Sequence, residues 1–524
     1  MMRKELPPEI QIKTNNRGMK TSQMEELDKK ILSLLDSSQV MILGTSVGDN
    51  PSAANVFFAN DGFDLYFFTF NPTRKAEQIR VNPKVQCVVR PEDDSGVREL
   101  QIEGRARQLT DPVEVERVKE MILEVTDLFS PYMDDEFLKK NRVTGYYRVV
   151  PEVIKLVDFY ADQQFQWREF PENCESLIKS VVGTLYRRLG LYLRAVRAPF
   201  FTATLAPVVL GGAVAAFNFG TLHWPLFWWS LLGGILVHAG INLANDYSDH
   251  VTGNDEANKL FSPFNGGSRM IQAGLFSPHR IFLFSVLMFL GAIAVGLNIN
   301  LILFGSALAL SPLIWIGAGG MALGIFYSAA PFRLSYHGWG DLAVMLGFGP
   351  VIALGTHYVQ HQALFARTGW DFYPVLAASL PVAILVGLIL FINGFQDFEA
   401  DRKTGKRTWV VRMADFGEYA DYRRPFTVYK RSLYAAFLSI AVLGIIGILN
   451  TAFSTPWVLI ALLPFFLARK AIDMGEEWLR RWDQEGADHQ RLPYELLAVN
   501  ASTIGVHLAV GLLLSMGYWL GALL

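Results

Sequence analysis

At 524 residues, with 51% hydrophobic side chains and a formal net charge of −2, the chain is long enough for two domains or more and lacks the bulk basicity that suits nucleic acid. Its two cysteines, Cys87 and Cys174, stand at no metal-ligand spacing, which excludes a disulfide framework and suits free thiols in a reducing compartment. These averages hide a composition shift: charges are spread evenly over residues 1–190, but from about Ala195 onward apolar runs long enough to cross a bilayer recur.

Residues 1–20 read as a polar tail without the apolar core of a signal peptide, so the module that follows is expected in the cytoplasm. QVMILGTSV and PSAANVFFA flank a Gly-Asp-Asn turn signal and read as a hairpin. FDLYFFTF, VQCVV and RELQIEGRARQL add strands, with short helices near 73–81 and 111–126. Successive strands with only brief helices predict a small β-barrel over residues 21–165. Residues 166–194 are expected to link the modules. Within them Leu177, Val181, Leu185 and Leu189 recur every four residues beside Lys179, Arg187 and Arg188, the pattern of a basic helix lying among lipid headgroups. A linker helix packed on the soluble module is the alternative.

Residues 195–524 then read as an all-α polytopic bundle of about nine spans, near 199–219, 224–244, 280–300, 306–327, 340–360, 373–394, 432–450, 456–469 and 497–521. Lysines and arginines gather in one set of loops, among them Arg269, Arg333, Lys406, Arg423 and Arg480. The opposite set offers only Arg367, so the first set is expected on the cytoplasmic face of the cell membrane. That face also carries two acidic clusters, NDYSDHVTGND at 245–255 and DFEADRKTGKRT at 397–408, each following an even-numbered span. They occupy matching positions, as an internal repeat would place them.

Asp246 and Asp249 are three residues apart and Asp397 and Asp401 four apart, so each pair shares a helix face, with Asp255 in the loop beyond Gly253. Hard oxygen ligands so grouped suit magnesium, which takes a few carboxylates and completes its shell with water and substrate phosphates. Asn242, Asn245 and Asn393 are placed to orient ligands. The bland alternative, solvated acids paired with nearby Arg and Lys, weakens when two clusters sit at equivalent helix ends.

These motifs resemble the two signatures of the UbiA superfamily of intramembrane prenyltransferases, over about 195–524. The spacing Asp-Tyr-x-Asp-x-x-x-Gly-x-Asp, Gly266-Gly267-Ser268-Arg269, Asp401-Arg402-x-x-Gly405-Lys406-x-Thr408, Arg197-x-Pro199 and Arg491-Leu492-Pro493 look most like the branch that prenylates 1,4-dihydroxy-2-naphthoate on the way to menaquinone. The superfamily's commoner third Asp of the first motif is replaced here by Gly253, a departure that the naphthoate branch shares. The resemblance implies that Asp246, Asp249, Asp397 and Asp401, with Asp255, hold magnesium on the diphosphate of a polyprenyl donor. It implies cationic contacts from Arg269, Arg333 and Lys406 and a substrate role for Arg197, Asn242, Asn245 and Asn393. Arg333 could equally be a loop cation obeying the positive-inside rule, and Tyr327 and Tyr336 could be ordinary interfacial tyrosines. His357, His361 and His507 read as structural, His250 and His337 as surface residues.

In the first module, FFTFNPTRKAEQIRVNPKVQCVV followed by RELQIEGRARQL resembles the pyridoxamine 5′-phosphate oxidase-like split barrels, over roughly 25–160. The resemblance implies FMN, with Thr69, Thr73, Arg74 and Lys75 at its phosphate, and a homodimer through the barrel. The reading is therefore a magnesium-dependent prenyltransferase acting on polyprenyl diphosphate and an aromatic acceptor, fused to a flavin-type barrel that handles the redox state of the quinone or its precursor. Other acceptors (a hydroxybenzoate, homogentisate or a tetrapyrrole alcohol) are the near rivals. A membrane-anchored flavoprotein reductase or redox sensor, and more weakly a transporter, come from other classes.

Overall fold

The structure is a computed structural model. It describes residues 21–524 apart from 49, 71–72, 92–97, 126–143, 160, 162–163, 174–185, 187, 259–261, 263, 366–368, 417–419, 485–488 and 490–491. The polar tail 1–20, Cys174, most of the amphipathic segment, Arg367 and Arg491 thus lie outside the described residues. The chain divides into two compact units whose main boundary falls between Leu191 and Tyr192.

In the first unit α1 (Thr21–Asp36) precedes β1 (Val40–Val47), β2 (Asn50–Asp61) and β3 (Asp64–Phe70), then α2 (Arg74–Val81), β4 (Lys84–Val89), β5 (Arg98–Gln108), α3 (Pro112–Val125), β6 (Thr144–Asp158) and β7 (Phe165–Glu169). Strand order is β3-β2-β1-β4-β5-β6-β7, and a further β3–β6 pairing closes six of the strands into a barrel. At 15 residues, β6 is long enough to pair β3 through its first half and β7 through its second. The expected hairpin is present, with Val47 opposite Asn50. The two expected helices are α2 and α3. Inward residues such as Leu43, Phe67, Cys87, Ile102 and Val149 alternate with outward ones and fill the barrel. Burial there pushes the Cys87 thiol up to about 12, so it is an inert core residue at neutral pH.

The second unit is helical: α4 (Thr202–Phe219), α5 (Trp224–Val251), α6 (Asn254–Ala257), α7 (Pro278–Phe304), α8 (Pro312–Ser328), α9 (Gly340–Leu346), α10 (Ile352–Phe365), α11 (Tyr373–Lys403), α12 (Trp409–Ala414), α13 (Arg423–Leu449), α14 (Phe465–Trp482), α15 (Leu492–Glu495) and α16 (Leu497–Leu523). Among the described residues, 7 helices are long and apolar enough to cross a membrane, with α9 and α10 joined through Gly347–Val351 as one of them; α8 is a shorter apolar helix.

The expected span at 456–469 takes another form. Pro456 opens a 3-10 segment ending at Leu462, and Pro464 starts α14, which gains charges from Arg469 onward. Only one side of α14 is buried, through Ala468, Ala471, Ile472, Gly475, Trp478 and Trp482. A helix polar on its other side packs against the bundle instead of standing in lipid.

Lipid gives helices no hydrophobic reason to associate, so close backbone contact does much of the packing. A Cβ on Gly211 would lie 2.5 Å from the Ala353 carbonyl oxygen, and one on Gly349 would lie 2.4 Å from the Ala383 Cβ. Through these contacts α4 and α11 hold the middle of the bundle, and 72% of the apolar window of α11 is buried. That central helix carries the second acidic cluster at its end.

Candidate active site

The C-terminal turns of α5 carry Asn242, Asn245, Asp246 and Asp249, and those of α11 carry Asn393, Asp397 and Asp401. The two helix ends meet. The Nζ of Lys406, three residues past α11, stands 3.3 Å from both carboxylate oxygens of Asp249 and 3.9 Å from Asp401 Oδ1. Lys406 is itself buried. Burial alone would lower its pKa, yet the Asp249 and Asp401 carboxylates hold it well above the ordinary lysine range. The Tyr336 ring lies 5.8 Å from the same ammonium, and its hydroxyl donates to Thr252 Oγ1 at 2.7 Å.

The loop between α5 and α7 ties the clusters together through asparagines that the sequence analysis did not single out. Asn254 donates to Asp401 Oδ1 at 3.0 Å, and Asn258 and Asn265 donate to Asp397 Oδ1 at 2.8 and 3.0 Å. Their signal was available: three asparagines in twelve residues directly after an acidic helix end. On α16, the fully buried Asn500 donates to Asn393 Oδ1 at 2.6 Å, and Asn393 in turn donates to the Phe264 carbonyl.

Asp246 and Asp255 meet around Gly267. The Ser268 N–H reaches both Asp246 carboxylate oxygens at 3.2 Å. A Cβ on Gly267 would lie 2.9 Å from Asp255 Oδ2 and 3.1 Å from Asp246 Oδ1, and its φ is +72°. Glycine alone leaves room for this carboxylate pair in that conformation. Burial, then the nearby Asp249 and Asp246 charges, push the Asp255 carboxyl up to about 9.

Three arginines singled out from sequence, Arg197, Arg269 and Arg333, are the non-glycine residues with positive φ among the described ones, at 55°, 62° and 41°. Each costs roughly 1–2 kcal/mol of backbone strain, which surrounding contacts must offset. Arg197 Nη2 donates to the Phe264 carbonyl and its guanidinium lies over the Phe200 ring at 4.7 Å. Arg269 Nη1 donates to the Asp255 carbonyl at 2.5 Å. Arg333 is exposed, its guanidinium 5.8 Å from the Tyr336 ring.

A cavity of about 590 Å³ runs from this polar end into the bundle. Asn242, Asn245, Asp249, Asp255, Asp397 and Lys406 line its polar end with Arg197 and Asn393, whereas Asp246 and Asp401 are not among its lining residues. Deeper in, the lining turns apolar along α7, α8 and α10, with Ile293, Leu297, Leu313, Ile316, Met321 and Val351 among its residues. Tyr327 lines it as well; Arg269, Arg333 and Tyr336 do not. Such a shape suits a ligand with a charged head and a long apolar tail.

Residues 204–485 match the UbiA prenyltransferase family, over more than half of the chain. The chain belongs to that family. A 2-carboxy-1,4-naphthoquinone phytyltransferase of Synechocystis is 28% identical over 346 residues, covering 63% of this chain and 94% of the relative. The 1,4-dihydroxy-2-naphthoate octaprenyltransferase of Mycobacterium tuberculosis is 31% identical over 273 residues (51% and 80%), and that of Bacillus subtilis 25% identical over 316 (60% and 88%). This UbiA-family protein is a multi-pass membrane prenyltransferase acting on a prenyl diphosphate and an aromatic acceptor. Residues 27–148 match the pyridoxamine 5′-phosphate oxidase family, on the closed barrel.

The acids fit magnesium by the chemistry of their donors. Among the described residues no three acids, histidines or cysteines are grouped closely enough to hold a metal ion by themselves. Magnesium bound through substrate phosphates needs only one or two carboxylates per ion, which is what each helix end offers. In the barrel, Thr73 caps α2, its hydroxyl 3.4 Å from the Ala76 N–H and 3.1 Å from Thr69 Oγ1. Lys75 is half-buried and no carboxylate stands against it among the described residues; burial lowers its pKa. Arg74 is exposed, its Nη2 3.4 Å from the Pro51 carbonyl. A hydroxyl pair beside an uncompensated lysine suits a phosphate group.

Proposed function

We propose that this protein transfers a polyprenyl group from its diphosphate to 1,4-dihydroxy-2-naphthoate, with magnesium, at the cytoplasmic face of the cell membrane. The observation that carries the reading is the convergence of two aspartate-bearing helix ends on the polar end of one largely apolar cavity. The naphthoate-type relatives and the positive-inside loops support the acceptor and the orientation.

Asp249, Asp255 and Asp397, backed by Asp246 and Asp401, would hold magnesium, which when bound supplies positive charge to the departing diphosphate. Around it the chain's own residues hold the geometry. Asn254, Asn258 and Asn265 fix the carboxylates, and Lys406 adds a preorganised cation where negative charge develops. Arg269 stands beside Asp255 as a further cation. The apolar walls take the isoprenoid tail and keep water from the allylic carbon. As the carbon–oxygen bond to diphosphate breaks, the ring carbon bearing the carboxylate attacks the allylic carbon, and carbon dioxide leaves afterwards.

Purified protein given labelled polyprenyl diphosphate and 1,4-dihydroxy-2-naphthoate is expected to form prenylated naphthoquinol only with magnesium. Asp249→Asn should lower the rate at least ~100-fold. Product from hydroxybenzoate or homogentisate but not from the naphthoate would reassign the acceptor. No product from any aromatic acceptor would favour an anchored redox protein.

We assign FMN to the barrel, its phosphate on Thr69, Thr73, Arg74 and Lys75, where it would supply electron-transfer chemistry when bound. The assignment carries with it a homodimer through the barrel. The full-length protein is expected to show flavin absorbance, or to gain it on soaking, and to lose it in Lys75→Ala. Equal flavin content in that variant would remove Lys75 from the site.

A further inference from the structure

One residue on the cavity wall plays no part in the reading so far. His238 lies on α5 two turns before Asp246, and with Asn242, Asn245 and Asp249 it repeats at intervals of four, three and four residues. That spacing puts all four on one helix face, and all four line the cavity. Eight residues of helix separate His238 from Asp246, about 12 Å along the axis. The residue is only 5% exposed. Its Nδ1 is 2.8 Å from the hydroxyl of the fully buried Thr204. The Phe201 and Phe348 rings stand edge-on to it, at 5.2 and 4.5 Å. Three neighbours thus lock the ring's orientation. With Nδ1 occupied, Nε2 is the nitrogen left for a ligand, and no partner meets it among the described residues.

A histidine so held, on the wall of a largely apolar cavity, does nothing for an isoprenoid tail. It suits an aromatic ring carrying a hydroxyl, and Arg197 on the same lining suits that ring's carboxylate. We propose that His238 is a catalytic residue of this prenyltransferase: Nε2 receives the proton of the acceptor hydroxyl as the ring attacks, while Nδ1 keeps its hydrogen bond with Thr204. This rests on the hydroxyaryl acceptor class proposed above.

The step balances. The ring carbon's electron pair forms the bond to the allylic carbon, and the carbon–oxygen bond to diphosphate breaks with its pair on the diphosphate. The neighbouring hydroxyl becomes a ketone as its proton passes to Nε2. Where the attacked carbon carries a carboxylate, the resulting β-keto acid loses carbon dioxide, and the enolate takes the proton back from His238.

The test compares His238→Phe, which fills the ring's space, with His238→Gln, which keeps a hydrogen-bonding group near the Nε2 position. Full-length protein is assayed with the hydroxyaryl acceptor that the wild type prenylates. Both variants should lose at least ~100-fold in kcat with the KM for the diphosphate donor unchanged, because neither a phenyl ring nor an amide can take the proton. The inference fails if His238→Phe stays within threefold of wild type, if His238→Gln keeps most of the wild-type rate, which a hydrogen bond alone would then explain, or if the donor KM rises in step with the loss of rate. A wild type inert toward every hydroxyaryl acceptor would overturn the acceptor reading and this inference together. A wild type that is active beside an unaffected His238→Phe would overturn this inference alone.

Discussion

Lys406→Met should destabilise the helical unit by about 3–5 kcal/mol and bring transfer close to background, because it strips the buried counter-charge from Asp249 and Asp401. Methionine fills a similar volume, so the effect isolates the charge. The ammonium is the sole buried lysine among the described residues, set between two helix ends that are 152 positions apart in sequence, counting from Asp249 to Asp401. Without it the acids repel one another in a low-dielectric setting, and the junction between α5 and α11 loosens. Thermal unfolding in detergent reads the first effect and labelled-donor transfer the second. Millimolar magnesium should restore part of the stability without restoring the rate, since Lys406 also faces the departing diphosphate in the proposed mechanism. An unchanged unfolding midpoint would mean that the acids are neutral in the free protein and that Lys406 does not hold the two ends together.

The second large effect is expected from Gly267→Ala. One methyl group would enter the space between Asp255 Oδ2 and Asp246 Oδ1, at 2.9 and 3.1 Å, on a backbone with φ of +72°. The strain is roughly 1–2 kcal/mol, and relief requires the two carboxylates to move apart or the loop to shift. A displacement of about 1 Å at a reacting centre can cost ~100-fold in rate. Gly267→Ala should therefore lower turnover about as far as Asp249→Asn while unfolding only a few degrees early. Gly253→Ala is the comparison: it shares the strain, with φ of +75°, but its Cβ would meet nothing within 4 Å. Equal losses of activity in the two variants would show that backbone strain, and not the carboxylate cradle, sets the effect.

Much of this molecule was legible in the order of its residues. Strand alternation and short helix signals gave the barrel, because a sheet with one face inward writes its burial at period two. Apolar length gave the spans, because a bilayer leaves no other partner for the backbone. It misled at 456–469, where mean hydropathy hides Pro456 and Pro464 and where α14 is apolar on one side only. The two aspartate clusters were legible because their spacing places acids on one helix face, and Arg197 and Arg269 entered through their motifs.

Residue order alone settles the local chemistry: which helix ends bear carboxylates, which loops bear cations, and which runs can stand in lipid. Packing across the bundle makes Lys406 serve both clusters, lets Asn254, Asn258, Asn265 and Asn500 brace them, gives Gly267 its place between two carboxylates, and sets His238 on the same cavity. It also places Arg333 outside that cavity. The physical reason is distance along the chain. Spacing within one helix follows from 3.6 residues per turn, but contacts across more than a hundred residues depend on how α4, α5, α11 and α16 pack.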